Sequence, residues 1–251
     1  MPHERGLRPR LEPRCPPLTG RGRSVGGVAP TPARYDGHAD WYDRTFGVFA
    51  EDAATLAELL GPGGGQTCLD VGCGSGRYAA VLAELGYRPM GIDVSTDQLR
   101  IARGRLRDLA RADAAALPVR PASADAAVAL YVHTDVEDFG AVVAEVGRAL
   151  RPGGRLICLG LHPCFLGAFV DRSTEDADGA LRFVPGYGAG GWSWRSSRQR
   201  DGLWRRVGGH HKTLAAFLAA FTGAGFAIEH LRELAGGGTV LPRNIAVAAR
   251  R

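Results

Sequence analysis

Lysine is nearly absent from this chain: Lys212 stands alone against thirty arginines in 251 residues. Long apolar runs are missing too. None approaches the roughly 18 residues a membrane helix needs, and the N-terminus lacks the apolar core of a signal peptide. Those absences predict a soluble protein kept in the cytoplasm. Cysteine is sparse, with Cys15, Cys68, Cys73, Cys158 and Cys164 odd in number and forming no C-x-x-C pair. That pattern excludes a disulfide framework and predicts reduced thiols with no metal site.

A net charge of +5 and a pI near 9.2 suggest a nucleic-acid partner until the charge is located. Residues 1–34 hold seven arginines against Glu4 and Glu12, together with seven of the fifteen prolines. The remaining chain carries 24 basic and 24 acidic residues and is neutral. A basic, Pro-rich tail buries too little surface to fold, so residues 1–33 read as a disordered Arg/Pro/Gly-rich arm and 34–251 as one domain. A basic arm could touch nucleic acid, but a GC-rich coding bias is the plainer source of the arginine excess, and a nucleic-acid partner is not expected. With 45% hydrophobic residues the domain can bury one α/β core.

The centre of the chain is Cys68-Leu-Asp-Val-Gly-Cys-Gly-Ser-Gly-Arg-Tyr78. Leu69 and Val71 supply a short buried strand with Asp70 near its carboxyl end. Gly72, Gly74 and Gly76 form a turn that brings bare backbone to a ligand. A helix then carries Tyr78, Val81, Leu82 and Leu85 on one face and ends at Gly86. A dinucleotide turn would read G-x-G-x-x-G, with pyrophosphate on the helix N-terminus. Here the spacing is G-x-G-x-G, and Asp70 would repel a pyrophosphate while suiting a ligand that carries an ammonium and a sulfonium. The stretch resembles the first motif, (V/L)-(L/V)-D-(V/L)-G-x-G-x-G, of the class I S-adenosylmethionine-dependent methyltransferases.

Two further strand ends fit this pattern. Pro89 to Val94 reads as a second strand delivering Asp93, 23 residues after Asp70, where a carboxylate can accept from both ribose hydroxyls. Ser95 and Gln98 form a capping box for a helix bearing Leu99, Ala102 and Leu106. Leu109 to Ala112 is a third strand, presenting Asp113 and Ala114. The resemblance implies that Asp113 accepts from the adenine amino group and the Ala114 N–H meets a ring nitrogen. The other reading of Asp113 is a turn residue.

Asp125 to Val132 is a buried parallel strand that includes Leu130. In the resembled family the chain after this fourth strand lines the transfer site, and His133, Thr134 and Asp135 stand there. Phe139, Val142, Val143, Val146 and Leu150 share a helix face, stopped by Pro152-Gly153-Gly154, with a fifth strand over 155–161. Leu150 to Leu156 matches the family string L-(K/R)-P-G-G-x-(L/F). The resemblance thus covers residues 35–161 by motif and the rest by order of elements.

Before the glycine turn, Tyr35-Asp-Gly-His-Ala-Asp-Trp-Tyr-Asp43 precedes a helical run through Phe46, Phe49, Leu56, Leu59 and Leu60, closed by Gly61-Pro62-Gly63. The pattern is similar to the helix that covers the cofactor in many small-molecule methyltransferases, which would set Tyr35 against the methionine end, where an aromatic face favours a sulfonium. Plain helix packing is the other reading, and the better one for Trp41 and Phe46. From 162 to 212 the periodicity breaks down and aromatics accumulate, Trp192 to Trp194 alternating like a short strand. Such an insertion is either a lid suited to a flat or apolar acceptor or a small β-element that packs or dimerises. Thr213 caps a helix with Leu214, Phe217, Leu218 and Phe221 inward, and 226–231 and 244–249 read as the closing strands.

These features predict a Rossmann-like three-layer α/β/α sandwich, with a seven-stranded, mostly parallel sheet and an antiparallel last strand. The function implied is methyl transfer from S-adenosylmethionine to a hydroxyl, amine or carbon of a small molecule, without metal. Tyr35, Asp70, Gly72, Gly74, Gly76, Asp93, Asp113, Ala114 and Leu130 are the expected cofactor contacts. His133 and His162, each following a parallel strand, are candidate bases for a hydroxyl acceptor, ahead of His210 and His211. An RNA or protein methyltransferase is less favoured, since the N-P-P-Y type tetrapeptide for planar amino groups is absent after the fourth strand. A non-catalytic cofactor-binding protein of the same fold stays open.

Overall fold

Alternation in the sequence sorts the core into two faces of one sheet. The structure is a computed structural model, described here over residues 33–171, 181–195, 202–235 and 241–251. In the first strand, β1 (Thr67–Val71), Leu69 and Val71 face one apolar cluster while Cys68 faces the other. The same alternation recurs in β4 (Ala124–Leu130), where Ala127 and Ala129 oppose Val128. Helix α2 (Ala50–Leu60) covers the Cys68 face with Leu56, Leu59 and Leu60, and α3 (Ala79–Glu84) adds Leu82. On the far face α5 (Phe139–Ala149) packs with Phe217 and Phe221 of a helix at Leu214–Gly223. Phe139, Phe217 and Phe221 are fully buried, and truncating any one to Ala should cost about 3–5 kcal/mol.

The central sheet has seven strands. Strands β1, β2 (Arg88–Asp93), β3 (Asp108–Arg111), β4 and β5 (Leu150–Leu161) are parallel, while β11 (Asn244–Arg250) runs antiparallel between β5 and β10 (Ala227–Leu234). The order is β10-β11-β5-β4-β1-β2-β3. The strand order reverses between β1 and β4, and the crevice of an open α/β sheet opens at the carboxyl ends beside that switch. The expected sandwich, with a single reversed strand at the end of the chain, is the one observed.

Several boundaries differ from the sequence reading for local reasons. The helical run through Phe46 is broken into α1 (Ala39–Thr45) and α2 because Phe46 and Phe49 both adopt extended backbone. Helix α4 (Thr96–Ala102) ends before Leu106, which is buried from the following turn instead. Strand β5 begins at Leu150, so Pro152-Gly153-Gly154 belongs to the start of this interior strand rather than to a loop, with Gly153 at φ 78 and an irregular register between Ala124 and Ala126. The Ser95/Gln98 capping box is only half made. Ser95 Oγ accepts from Gln98 N at 3.2 Å, but the Ser95 N–H donates to Asp93 Oδ1 at 2.8 Å and leaves the Gln98 side chain for other use.

The predicted tail falls almost wholly on residues 1–32, outside the described residues, as do parts of the aromatic insertion. The described parts of the insertion hold two short antiparallel pairs. One joins β6 (Val170–Asp171) to β7 (Arg182–Phe183), the other β8 (Gly191–Ser193) to β9 (Gly209–His211). Between β8 and β9, α6 (Leu203–Val207) buries Trp204 over Gly209, where a Cβ would lie 2.1 Å from the indole. Thr213 caps the next helix, α7 (Leu214–Gly223), by accepting from Ala216 N at 3.1 Å.

Candidate functional site

The glycine turn wraps the end of β2. Gly72 N and Cys73 N both donate to Ile92 O, and Gly74 N donates to Asp93 Oδ2 at 2.8 Å. Gly72 has no substitute, because its φ is 69° and a Cβ would sit 2.5 Å from Val132 Cγ2. The N-terminal segment then docks on this turn from outside. Asp43 accepts a two-pronged contact from Arg105, at 2.7 and 2.9 Å, and the Ser75 hydroxyl at 2.5 Å. That Arg105 fork holds Asp43 down to about 2. Asp36 accepts from Ser95 Oγ at 2.6 Å, and Gly37 N donates to Asp97 Oδ2 at 2.7 Å, tying the chain before α1 to the start of α4.

Beneath this cover lie two adjoining cavities, of about 90 Å³ and about 640 Å³, which share walls at Tyr35, Tyr42, Gly72, Gly74, Leu130 and Tyr131. The smaller is an apolar slot between Ile92, Val94, Ala114 and Val132, with Asp93 and Gln98 at its side. Gln98 Oε1 is buried there without a hydrogen-bond partner. The larger is mostly apolar, and Leu166, Leu203 and Trp204 of the insertion form part of its wall.

Three carboxylates converge on these cavities, Asp70 buried and Asp93 and Asp135 half-buried. Burial, then the charge of Asp93, pushes Asp70 up to about 7. Burial likewise takes Asp135 to about 7, a hydrogen bond from Tyr35 working the other way. Burial raises Asp93, against the N–H groups of Ser95 and Gly74. Among the described residues none of the three is in an ion pair with an arginine or lysine. Buried anions of this kind favour a cationic ligand.

Most of the expected cofactor contacts meet here: Tyr35, Asp70, Gly72, Gly74, Asp93, Ala114 and Leu130 all line one cavity or both. Two do not. Gly76 lines neither; its φ of 74° and its contact with Leu106 and Ala102 make it a packing glycine between turn and α4. Asp113 closes a local turn, Oδ1 accepting from Ala115 N at 2.9 Å, while its neighbours Ala112 and Ala114 form the wall.

The two candidate histidine bases lie outside both cavities. His133 is turned into the far-face core against Phe217, 4.9 Å between ring centres, and Phe139, with Nδ1 buried and unpartnered. Burial, then Lys212, pushes it down to about 3. His162 has both nitrogens engaged, Nε2 donating to Glu233 Oε1 at 2.8 Å and Nδ1 accepting from Cys164 N at 3.1 Å. His210 pairs with Lys212 and His211 with Tyr187 O. A strand-end position located the crevice but not the direction of the ring.

Sequence reasoning missed the polar groups that do face the cavities. Gln98 was absorbed into a capping role. Asp52 lines the larger cavity from α2 and is only 1% exposed. Its signal was present: Asp52 shares the helix face of Leu56 and Leu59, and a carboxylate on an apolar stripe asks for a partner. Tyr131 was passed over as strand interior, but it sits past the strand end with φ 65.

Residues 69–158 match a family model described as a methyltransferase domain. A demethylmenaquinone methyltransferase of Tropheryma whipplei (strain Twist) is 34% identical over 135 residues, which are 50% of this chain and 56% of that protein. Methyltransferase GfsG of Streptomyces halstedii is 38% identical over 143 residues, 53% of this chain and 48% of that one. The chain spans about half the length of the curated relatives it matches. A solved S-adenosylmethionine-dependent methyltransferase from Mesorhizobium loti superposes with a TM-score of 0.65 at 28% identity, covering 86% of this chain and 99% of that one. The resemblance read from the glycine turn and the L-R-P-G-G string is borne out.

Proposed function

We propose, from a chain whose residues 69–158 match the methyltransferase domain family, that it binds S-adenosylmethionine across the glycine turn and methylates a small molecule held in the larger cavity. The observation that carries this is the convergence of buried Asp70 and half-buried Asp93 and Asp135 on cavities that adjoin at Gly72 and Gly74. When bound, the cofactor supplies a methyl group on a sulfonium, open to in-line attack.

The residues present fit that group. Asp93 and the unpartnered Gln98 Oε1 stand together to accept from ribose hydroxyls. Ile92, Val94, Ala114 and Leu130 offer the adenine an apolar slot. Asp70 offers a negative charge beside the turn, suited to an ammonium. Tyr35 and Tyr42, ring centres 5.0 Å apart, wall the junction between the cavities, where aromatic faces favour a sulfonium. The protein's main work is then alignment and exclusion of water by the docked N-terminal segment and Trp204.

A concave, mostly apolar acceptor cavity favours a small molecule over RNA, as does the neutral charge of residues 35–251. No helix among the described residues is long and apolar enough to cross a membrane, and a cytoplasmic location belongs to the same proposal. The test is incubation with labelled cofactor and a panel of phenols, amines and carboxylates, with tRNA for comparison. Label transferred to a small acceptor supports the reading; label on tRNA alone, or on nothing while the cofactor binds, goes against it.

A further inference from the structure

The larger cavity is apolar on most of its walls, from Phe46, Phe49, Leu161, Leu166, Leu203 and Trp204. Its polar side chains include one built cluster. Asp52 Oδ2 accepts the hydroxyls of Tyr131 at 2.7 Å and Tyr78 at 2.9 Å, and Asn244 Nδ2 donates to Tyr131 Oη at 3.0 Å. Four elements meet at this point: α2, the start of the helix after the glycine turn, the end of β4, and β11. All four side chains line the larger cavity, and Tyr131 also lines the smaller one.

Tyr131 is held there against its own preference. Its φ of 65° is the left-handed region, which is strained for a non-glycine residue and persists where surrounding contacts impose it. Its N–H bonds Leu159 O at 2.6 Å, and its hydroxyl is fixed by Asp52 and Asn244. Proton counting gives the cluster a direction. Tyr131 Oη spends its hydrogen on Asp52 and one lone pair on Asn244, leaving its other lone pair as an acceptor. A ligand group meeting it must donate.

We propose that Asp52 and Tyr131 form the proton-accepting end of the acceptor site, selecting a hydroxyl carried on an apolar, ring-sized body. The proposal rests on the methyl-transfer reading for its chemistry, and on the cluster alone for its ligand. As the hydroxyl oxygen attacks, its proton passes to Tyr131 Oη while the proton of Tyr131 passes to Asp52 Oδ2. The oxygen keeps the electron pair that bonds the methyl carbon, and the pair of the broken carbon–sulfur bond stays on sulfur. Asp52 is left neutral and returns its proton to solvent when the product leaves. Burial already raises Asp52, against the hydrogen bonds from Tyr131, Tyr78 and Asn244, which suits it to take a proton.

The probes are 2-naphthol and 2-methoxynaphthalene, alike in body and differing in the donor hydrogen. Binding of each is measured by calorimetry with and without S-adenosylhomocysteine, for the full chain and for Asp52→Asn, Tyr131→Phe and Leu203→Ala. The expected result is a preference for naphthol of about tenfold or more. Tyr131→Phe should bring the ratio near one and Asp52→Asn should lower it, whereas Leu203→Ala weakens both probes and leaves the ratio intact. Melting curves check that each variant is folded, and both polar substitutions keep the side-chain shape. Equal binding of the two probes, no binding of either, or a ratio unmoved in both polar variants would overturn the proposal. If S-adenosylhomocysteine fails to bind while the naphthol preference holds, the cofactor reading falls and the hydroxyl site stands.

Discussion

The Tyr35 hydroxyl donates to Asp135 Oδ2 at 3.1 Å, joining the segment before α1 to the loop after β4 across the junction of the two cavities. Burial pushes the Tyr35 phenol well above its usual range, with Asp135 adding to the effect. The contact therefore works as a neutral donor on a carboxylate and closes the smaller cavity on one side. Deleting residues 1–32 should change affinity for S-adenosylhomocysteine by less than about threefold, whereas deletion through Tyr35 should weaken it by roughly tenfold or more. Parallel titrations of the two truncated chains check this; equal affinities would remove Tyr35 from the site.

Asp93 has two duties, holding Gly74 N and Ser95 N at 2.8 Å each and facing the cavity. Asp93→Ala should weaken cofactor binding by roughly 10- to 150-fold, the range for hydrogen bonds to a charged group. It should also lower the melting temperature, because two backbone donors lose their partner. Gln98→Leu separates the two effects. It removes the orphaned Oε1 and should weaken binding with little loss of stability.

Affinity for the cationic cofactor should rise with pH. Asp70 sits at about 7 in the free protein, so below that it is neutral and offers a cation little. Asp93 and the thiols of Cys68 and Cys73 are its titratable neighbours, and burial keeps both thiols protonated throughout this range. The gain from about pH 6 to 8 should be roughly tenfold, with proton release on binding near neutrality. A flat profile would place the cation elsewhere.

His133 is expected to matter for stability rather than turnover. Its folded value of about 3 lies below the ordinary 6.5, so it contributes stability above about pH 6.5 that is lost as pH falls toward 3. His133→Gln should flatten the acid side of the melting profile relative to the wild type and leave the pH dependence of turnover unchanged. A turnover profile that shifts in this variant would return His133 to the chemistry.

How much of this was legible in the sequence follows from what kind of signal each residue leaves. Leu69, Val71 and Val128 announce strands by local pattern, and Asp70 and Gly72 announce a tight glycine turn by spacing, so the sheet and the turn at its switch point read cleanly. Cavity-facing direction is a tertiary property. Nothing local says that the His133 ring turns toward Phe217 while Tyr131, two residues earlier, turns toward Asp52. The cluster of Asp52, Tyr78, Tyr131 and Asn244 spans nearly 200 residues of sequence, so only the folded sheet brings its members together. Gln98 was misread because a capping box explained it locally, while Asp93 had taken the backbone hydrogen that box assigns to it.

The most direct test of the account is a calorimetric titration of the full chain with S-adenosylmethionine, S-adenosylhomocysteine and NAD, repeated on Asp93→Ala. The account predicts saturable binding of the first two, weakened by the substitution, and no heat from NAD. Binding of NAD with no response to either methionine-derived ligand would contradict it.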